Sequence, residues 1–290
     1  MKDFKDKVAV ITGAASGIGY GLAEHAAREG MKVVLSDVEA GALEKAEKDI
    51  KALGAATLAV KTDVSRADDV KALADKTLDT FGAVHLLCNN AGVAGGPATA
   101  WQTTLHDWQW VLGVNLWGVI HGIHYFVPVM IKQNTECHIV NTASVAGLTA
   151  GPGADAYLVS KHGVVALSEV IYRELKQGAP EVGISVLCPG IINTNILDAE
   201  RNRPAELKNA PGDEAGNMSD PKALEMLQTY REIFKKGMPP QQLADIVFSA
   251  VRERKFYILP NADPYRPAIR ARMEDVVKER NPTDVQLDLT

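Results

Sequence analysis

The sequence predicts an α/β protein: a doubly wound, seven-stranded parallel sheet with helices on both faces, in a single domain. Three observations carry that reading. Short apolar, β-branched runs alternate with amphipathic helical patterns along most of the chain, joined by short links. The first such run passes directly into a glycine-rich turn and then a helix. Polar residues suited to ligand contact recur at the ends of successive strands, which is where open α/β sheets bind their ligands.

Val8 to Ile11 forms the first strand, and Thr12-Gly13-Ala14-Ala15-Ser16-Gly17-Ile18-Gly19 comes next, ahead of a helical pattern through Leu22, Ala23, Ala26 and Ala27. Glycines let a backbone approach a pyrophosphate closely, and a helix N-terminus offers unpaired N–H groups and a positive dipole end. The spacing is Gly-x3-Gly-x-Gly, which by itself is also compatible with a purely structural turn. The second strand, Lys32 to Ser36, ends in Asp37. A carboxylate there accepts hydrogen bonds from an adenosine ribose and repels a 2′-phosphate, so Asp37 points to NAD over NADP. No Arg or Lys lies in the glycine loop or just after Asp37 to hold such a phosphate. The competing role for Asp37 is a helix N-cap.

Residues 42–53 read as a surface helix, Ala55 to Val60 as the third strand with Asp63-Val64 closing it, and 67–81 as the next helix. Val84 to Cys88 is the fourth strand and runs into Asn89-Asn90-Ala91-Gly92. Trp108 to Ile131 contains no Asp, Glu, Lys or Arg, but it holds Asn115, two histidines, three glycines and Pro128. A helix buried on both sides accounts for it better than a lipid span. His138 to Thr142 is the fifth strand and delivers Ser144, and the helix carrying Tyr157 and Lys161 runs to about Gln177. Gly183 to Leu187 is the sixth strand, followed by Cys188-Pro189-Gly190-Ile191-Ile192-Asn193-Thr194.

Prolines and glycines then break the pattern over 195–236, the mark of a binding loop or lid, whose apolar residues include Ile196, Leu197, Met218, Leu224, Met226 and Leu227. A helix over 241–253 and a short strand at Phe256 to Leu259 complete the unit. Residues 1–260 are thus expected to be one dinucleotide-binding and catalytic domain with substrate loop 195–236, and 261–290 a C-terminal extension.

The chemistry centres on Ser144, Tyr157 and Lys161. On a helix, a four-residue spacing places the phenol and the ammonium on one face. A free phenol is a poor base at neutral pH, and a fixed cation favours its ionised form. At about 4 Å and an effective dielectric of about 20, that charge is worth about 4 kcal/mol, or about three pKa units. Tyr157 would then work as a general acid/base.

Composition narrows the alternatives. With 46% hydrophobic residues and a net charge of −5, the chain can bury a large core but offers no basic stripe for nucleic acid. Cys88, Cys137 and Cys188 each sit in or beside an apolar strand, as free thiols in a reducing compartment would. The N-terminus lacks the long apolar region and cleavage site of a secretory signal, so a cytoplasmic location is expected. His121 and His124 have no acidic partner nearby, so no metal site is expected. Trp101, Trp108, Trp110 and Trp117 read as core or interface residues.

Together the TGAASGIG turn, Asp37, Asp63-Val64, NNAG at 89–92, Asn115 in VNLWG, Ser144, Tyr157-x3-Lys161 and Pro189-Gly190 with Thr194 resemble the single-domain branch of the short-chain dehydrogenase/reductase family over roughly residues 5–260. That resemblance implies a Rossmann fold, NAD as cofactor, and an NAD-dependent alcohol dehydrogenase or ketoreductase acting on a small-molecule alcohol or ketone. It makes Asn115, Ser144, Tyr157 and Lys161 the catalytic set. Tyr157 is the acid/base, Ser144 steadies the substrate oxygen, Lys161 binds the nicotinamide ribose and lowers the Tyr157 pKa, and Asn115 holds a water linked to Lys161. It assigns cofactor contacts to Gly13, Ser16, Gly17, Ile18, Gly19, Asp37, Asp63, Val64, Asn90, Gly92, Tyr157, Lys161, Pro189, Gly190, Ile192 and Thr194, and implies a homotetramer. A narrower likeness, in the opening MKDF, in VNLWGVIHG and in Arg203-Pro204 after the sixth strand, is to the Cα-dehydrogenases that oxidise bulky benzylic alcohols. A non-catalytic dinucleotide-binding regulator is the alternative, and it would be attractive if Tyr157 or Lys161 were missing. An epimerase or dehydratase would be expected to carry a longer C-terminal substrate domain.

Overall fold

The computed structural model describes residues 1–96, 98–210 and 221–287. Met218 lies outside that range, and the side chains of Leu224 and Met226 are likewise outside it. The strands are β1 (Val8–Thr12), β2 (Lys32–Asp37), β3 (Thr57–Lys61), β4 (Leu86–Asn89), β5 (Cys137–Thr142), β6 (Val182–Leu187) and β7 (Tyr257–Ile258). They form one seven-stranded, all-parallel sheet in the order β3-β2-β1-β4-β5-β6-β7. The helices are α1 (Gly17–Arg28), α2 (Ala40–Lys51), α3 (Ala67–Phe81), α4 (Leu105–Leu112), α5 (Gly118–Gln133), α6 (Asp155–Gly178), α7 (Pro221–Lys235), α8 (Pro240–Arg252) and α9 (Arg266–Val277).

Strand alternation sorts the core into two layers. On β1, Ala9 and Ile11 join Leu22, Ala26, Leu243 and Phe248 of α1 and α8, while Val8 and Val10 join Leu73, Phe126 and Ile171 of α3, α5 and α6. Helices therefore cover both faces, and β1 and β4 meet at the point where the strand order reverses. Beside that point Asn89 and Asn141 are register partners across β4 and β5, and the Asn89 amide donates to Asn141 Oδ1 at 2.9 Å. The Asn141 amide in turn donates to Ser168 Oγ of α6 at 3.0 Å, which ties the sheet to the helix that carries the Tyr-Lys pair.

Three features differ from the sequence expectation. Strands three and four begin two residues later than their apolar runs suggest, because the sheet pairs only Thr57–Lys61 and Leu86–Asn89. The uncharged stretch is not buried on both sides: α5 turns Phe126 and Met130 into the core, but Ile131 of α5 and Trp117 just before it are about half exposed, at 43% and 52%. The rod Leu105–Gln133 is long and apolar enough to cross a bilayer by composition, yet here its inner face belongs to the α3–α6 layer. It also contains a π-helical turn, Gly113–Trp117, in which the Gly118 N–H donates to the Gly113 carbonyl five residues back.

Beyond β7 the chain docks on the domain. Tyr265 is buried against Val145 and Ala262. Asp275, only 4% exposed, accepts from the Thr283 N–H (2.8 Å) and hydroxyl (3.1 Å) and from Arg280 (2.8 Å), folding the tail back on α9.

Candidate active site

The carboxyl ends of β1, β2, β4, β5 and β6 open into one cleft of about 2180 Å³. Every candidate residue from the sequence lines it except Gly19 and Asn115. Both exceptions act from behind the wall.

The glycine turn is built so that backbone, not side chain, faces the cleft. Gly13 and Gly17 adopt φ values of 66° and 54°, the left-handed region that favours glycine. A Cβ on Gly13 would lie 2.9 Å from Ala91 Cα, and one on Gly19 would overlap the Gly13 carbonyl oxygen and come within 2.7 Å of Asn90 Nδ2. Thr12, which is not among the expected cofactor contacts, is the fastener: its hydroxyl accepts from the Asn90 N–H (2.9 Å) and the Ala91 N–H (3.0 Å), and its carbonyl accepts from Asn90 Nδ2 (2.9 Å). Ser16 caps α1 by backbone geometry while its side chain makes no capping bond, so first-turn N–H groups and a free hydroxyl face the cleft together.

Asp37 is held by two backbone donors, the Ala15 N–H and the Glu39 N–H, each at 3.0 Å. That fixes the carboxylate at the rim beside the glycine turn. Asp63 accepts from the N–H (3.0 Å) and hydroxyl (2.7 Å) of Ser65, and Val64 offers its carbonyl to His121 at 2.9 Å. His121 is thus engaged in shaping the wall, and among the described residues no group of three or more His, Cys, Asp or Glu is placed to hold a metal.

Ser144 starts a 3₁₀ turn, Val145–Gly147, and its Oγ accepts from the Ala146 N–H at 3.1 Å. That turn lies flush on α6, since a Cβ at Gly147 would be 2.6 Å from the Lys161 carbonyl oxygen. Lys161 is 3% exposed, donates to the Thr142 carbonyl at 3.0 Å, and has its ammonium 5.5 Å from the centre of the Tyr157 ring.

The electrostatics differ from expectation. Burial pushes the Tyr157 phenol above its usual range, against a smaller pull downward from hydrogen bonding with Ser144. Burial also lowers Lys161 to about 8. The ammonium donates to the Thr142 carbonyl, and desolvation is the largest cause of the shift in both groups. Asn115 is fully buried in the π turn, and its amide clamps the backbone of Val93, accepting from its N–H at 2.8 Å and donating to its carbonyl at 2.9 Å, with a further bond to Ser160 Oγ at 3.1 Å. Its side chain therefore positions the strand-four loop beside Gly92.

The three cysteines are free and buried, and burial pushes the Cys88 and Cys188 thiols up to about 12 and raises Cys137. They are inert packing groups in this fold.

Two polar clusters were not visible in the sequence motifs. Arg203, 6% exposed, donates to Asp107 Oδ1 at 2.6 Å and to the Leu207 carbonyl at 3.0 Å, and stacks 4.3 Å from the centre of the Trp110 ring. Burial raises the Asp107 carboxyl, but bonds from Arg203, Thr104 and Asn209 hold it below its usual range. At the opposite bank, Glu39 accepts from Arg201 and Asn202. The only local signal was Thr104-x-x-Asp107 ahead of an apolar run, which forms a capping box on α4.

A glycine-cradled helix N-terminus, a rim carboxylate and a Ser-Tyr-Lys cluster in one cleft at a strand-order reversal define a dinucleotide-dependent oxidoreductase architecture. The chain belongs to the short-chain dehydrogenase family, whose pattern matches residues 7–205. It is 36% identical over 282 residues to the CLA biosynthesis dehydrogenase/reductase of Lactiplantibacillus plantarum, covering 97% of each chain. It is 36% identical over 262 residues to the C alpha-dehydrogenase of Sphingobium sp., covering 90% of this chain and 82% of that one. Among solved structures, a short-chain dehydrogenase/reductase from Burkholderia phymatum in complex with NAD superposes with a TM-score of 0.91 at 46% identity, over 99% of both chains.

Proposed function

We propose that this protein is an NAD-dependent dehydrogenase interconverting a bulky, mostly hydrophobic secondary alcohol, cyclic or aryl, with its ketone. One observation carries the reading: Ser144, Tyr157 and Lys161 converge beside a glycine cradle in a cleft of about 2180 Å³, well beyond the volume a small ligand alone needs. The cradle fits a dinucleotide, because Gly13 and Gly19 leave no room for a Cβ and the α1 N-terminus stands open. The glycine turn would hold the pyrophosphate, Asp37 the adenosine ribose, and Lys161 the nicotinamide ribose. When bound, NAD supplies the hydride acceptor.

The chain's own residues do the remaining work. Tyr157 takes the hydroxyl proton in oxidation and returns it in reduction; burial raises its phenol, so the free site holds the proton at neutral pH, and the Lys161 charge favours the phenolate that oxidation needs. Ser144 holds the substrate oxygen at Tyr157. Lys161 keeps a positive charge beside the ring, and Asn115 holds the Val93 backbone that walls the site. Apolar cleft residues, among them Val93, Trp110, Ile196, Leu197 and Leu207, favour a large hydrophobic substrate, each buried methylene contributing about 0.8 kcal/mol. The likeness to the C alpha-dehydrogenase points the same way.

The exposed apolar residues Trp117 of the π turn, Ile131 of α5, and Val159 and Val170 of α6 support a homo-oligomer, and the family resemblance a tetramer in the cytoplasm. Purified protein with NAD and a panel of secondary alcohols, followed at the reduced-nicotinamide absorbance, tests the activity. We expect a higher kcat/KM for 1-phenylethanol than for 2-propanol, and loss of turnover by at least about 100-fold in Tyr157→Phe. Equal rates for the two alcohols would remove the substrate assignment, and an active Tyr157→Phe would remove the mechanism.

A further inference from the structure

The segment after β6 crosses the cleft instead of skirting it. It leaves the glycine turn at Thr194, whose Cγ2 would lie 3.1 Å from a Cβ on Gly17. It then runs as a 3₁₀ stretch, Ile196–Asn202, and reaches two banks within three residues. On the β2 side Glu39 Oε1 accepts from Arg201 Nε (3.1 Å), Arg201 Nη2 (2.7 Å) and Asn202 Nδ2 (2.8 Å). On the α4 side Arg203 Nη2 donates to Asp107 Oδ1 at 2.6 Å, and Asn209 Nδ2 donates to the same oxygen at 3.1 Å. Glu39, Arg201 and Arg203 all line the cleft that holds the glycine turn and Asp37.

The two moorings differ in kind. The side chains of Arg203 and Asp107 are 3% and 6% exposed, whereas those of Arg201 and Glu39 are 40% and 32% exposed. Breaking a buried pair strands charge in a low-dielectric site, while an exposed pair opens readily because water replaces the partner. Glu39 is also coupled to the ribose site, since its own N–H donates to Asp37 Oδ1 at 3.0 Å.

We propose that Glu39 is a positioning residue of the dinucleotide site: through Arg201 and Asn202 it latches residues 196–203 across the groove, and bound dinucleotide leaves by opening this latch while the Arg203–Asp107 anchor stays closed. This rests on the dinucleotide reading given above. The Arg203 end acts as the hinge. The Glu39 carboxylate, held below its usual range first by Asn202 and then by Arg201, keeps its charge throughout the neutral range.

The test is NADH dissociation, followed by nicotinamide fluorescence after rapid mixing with excess NAD, in the wild type, Glu39→Ala, Arg201→Ala and the double variant. Loss of an exposed ion pair and one amide-to-carboxylate hydrogen bond predicts at least about fivefold faster dissociation in Glu39→Ala. The double variant should be no faster than Glu39→Ala, because the two residues act through one contact. Added salt should speed dissociation from the wild type and leave the Glu39→Ala rate nearly unchanged. Dissociation from Glu39→Ala within twofold of wild type, or additive effects in the double variant, would overturn the latch while leaving the NAD reading intact. A wild-type protein that binds no NADH would overturn both.

Discussion

The backbone at Gly147 touches the backbone of Lys161: a Cβ at 147 would sit 2.6 Å from the Lys161 carbonyl oxygen and 3.0 Å from Val165 Cγ2. This contact sets the Ser144 turn against α6, and so determines how close the serine hydroxyl comes to Tyr157. Gly147→Ala must move either the turn or the helix, because the opposing atom is backbone and cannot rotate away. We expect a stability loss of about 1–3 kcal/mol in denaturant unfolding, typical of overpacking, together with a fall in kcat larger than the change in KM. Unchanged stability and kcat would show that the turn shifts freely.

Lys161 places function against stability. Burial lowers its pKa from 10.5 to about 8. Between those values the unfolded chain holds a proton that the folded chain has lost, so stability rises with pH across the window. Below about pH 8 both states are protonated and the full burial cost is present, on the order of 3 kcal/mol. Lys161→Met removes that cost but leaves the Thr142 carbonyl without its donor, worth about 1 kcal/mol. The variant should therefore be about 2 kcal/mol more stable than wild type at pH 7 while losing turnover, with the gap closing as pH rises and reversing to about 1 kcal/mol in favour of wild type by pH 10.5. Thermal melts at the two pH values decide it, and a variant less stable at pH 7 would contradict the argument.

His138 sets the acid limit. It is fully buried on β5, with Nε2 at 2.7 Å from Ser185 Oγ, and burial lowers its pKa to about 3. Because Ser185 donates its own proton to the Lys255 carbonyl at 2.7 Å, Nε2 must carry the imidazole hydrogen. Below pH 6.5 the unfolded chain binds a proton that the folded chain excludes, so stability falls as pH drops toward 3, by up to about 4 kcal/mol from this group. A His138→Gln variant should show a flatter acid limb in Tm against pH, whatever its absolute stability. An identical slope would assign acid sensitivity to other groups.

The Arg203–Asp107 pair should be costly to break from one side. Asp107→Ala leaves a buried guanidinium facing Trp110, and losses of about 3–5 kcal/mol are typical of such single removals. Asp107→Ala with Arg203→Met should recover much of that loss. Urea unfolding of the wild type, Asp107→Ala, Arg203→Met and the double variant tests this, and simple additivity of the two single changes would argue against coupling.

The strand-and-helix order was legible because the periodicities are strong and the glycine turn is local in sequence. Helix 67–81 falls where the pattern places it, as Ala67–Phe81. Ser144, Tyr157 and Lys161 were legible as a spacing, but their electrostatics were not. Burial depends on α6 meeting the 145–147 turn, and no local pattern encodes that contact. Asn115 was legible as a residue, but its clasp on the backbone of Val93 was not, since a separation of some twenty residues lies between them. Arg201 is a cation on Glu39, two residues after Asp37, that no local pattern could place there, because it lies 162 residues further along the chain. The exposure of Trp117 and Ile131 was hidden for a different reason: composition reports how apolar a helix is, but not which of its faces a neighbour covers.

The π turn at 113–117 amounts to a one-residue surplus in an otherwise continuous rod from Leu105 to Gln133. Removing any ordinary residue from that rod would rotate everything after it by about 100° and swing Gly118 away from Val64 and Gly122 away from Asn89. Removing one residue from within 113–117 would let the rod close as a regular α-helix with both halves still in phase. In terms of insertions and deletions, these five positions are the one place on the rod where the chain can be shortened without scrambling the helix beyond, and Asn115 occupies the middle of it.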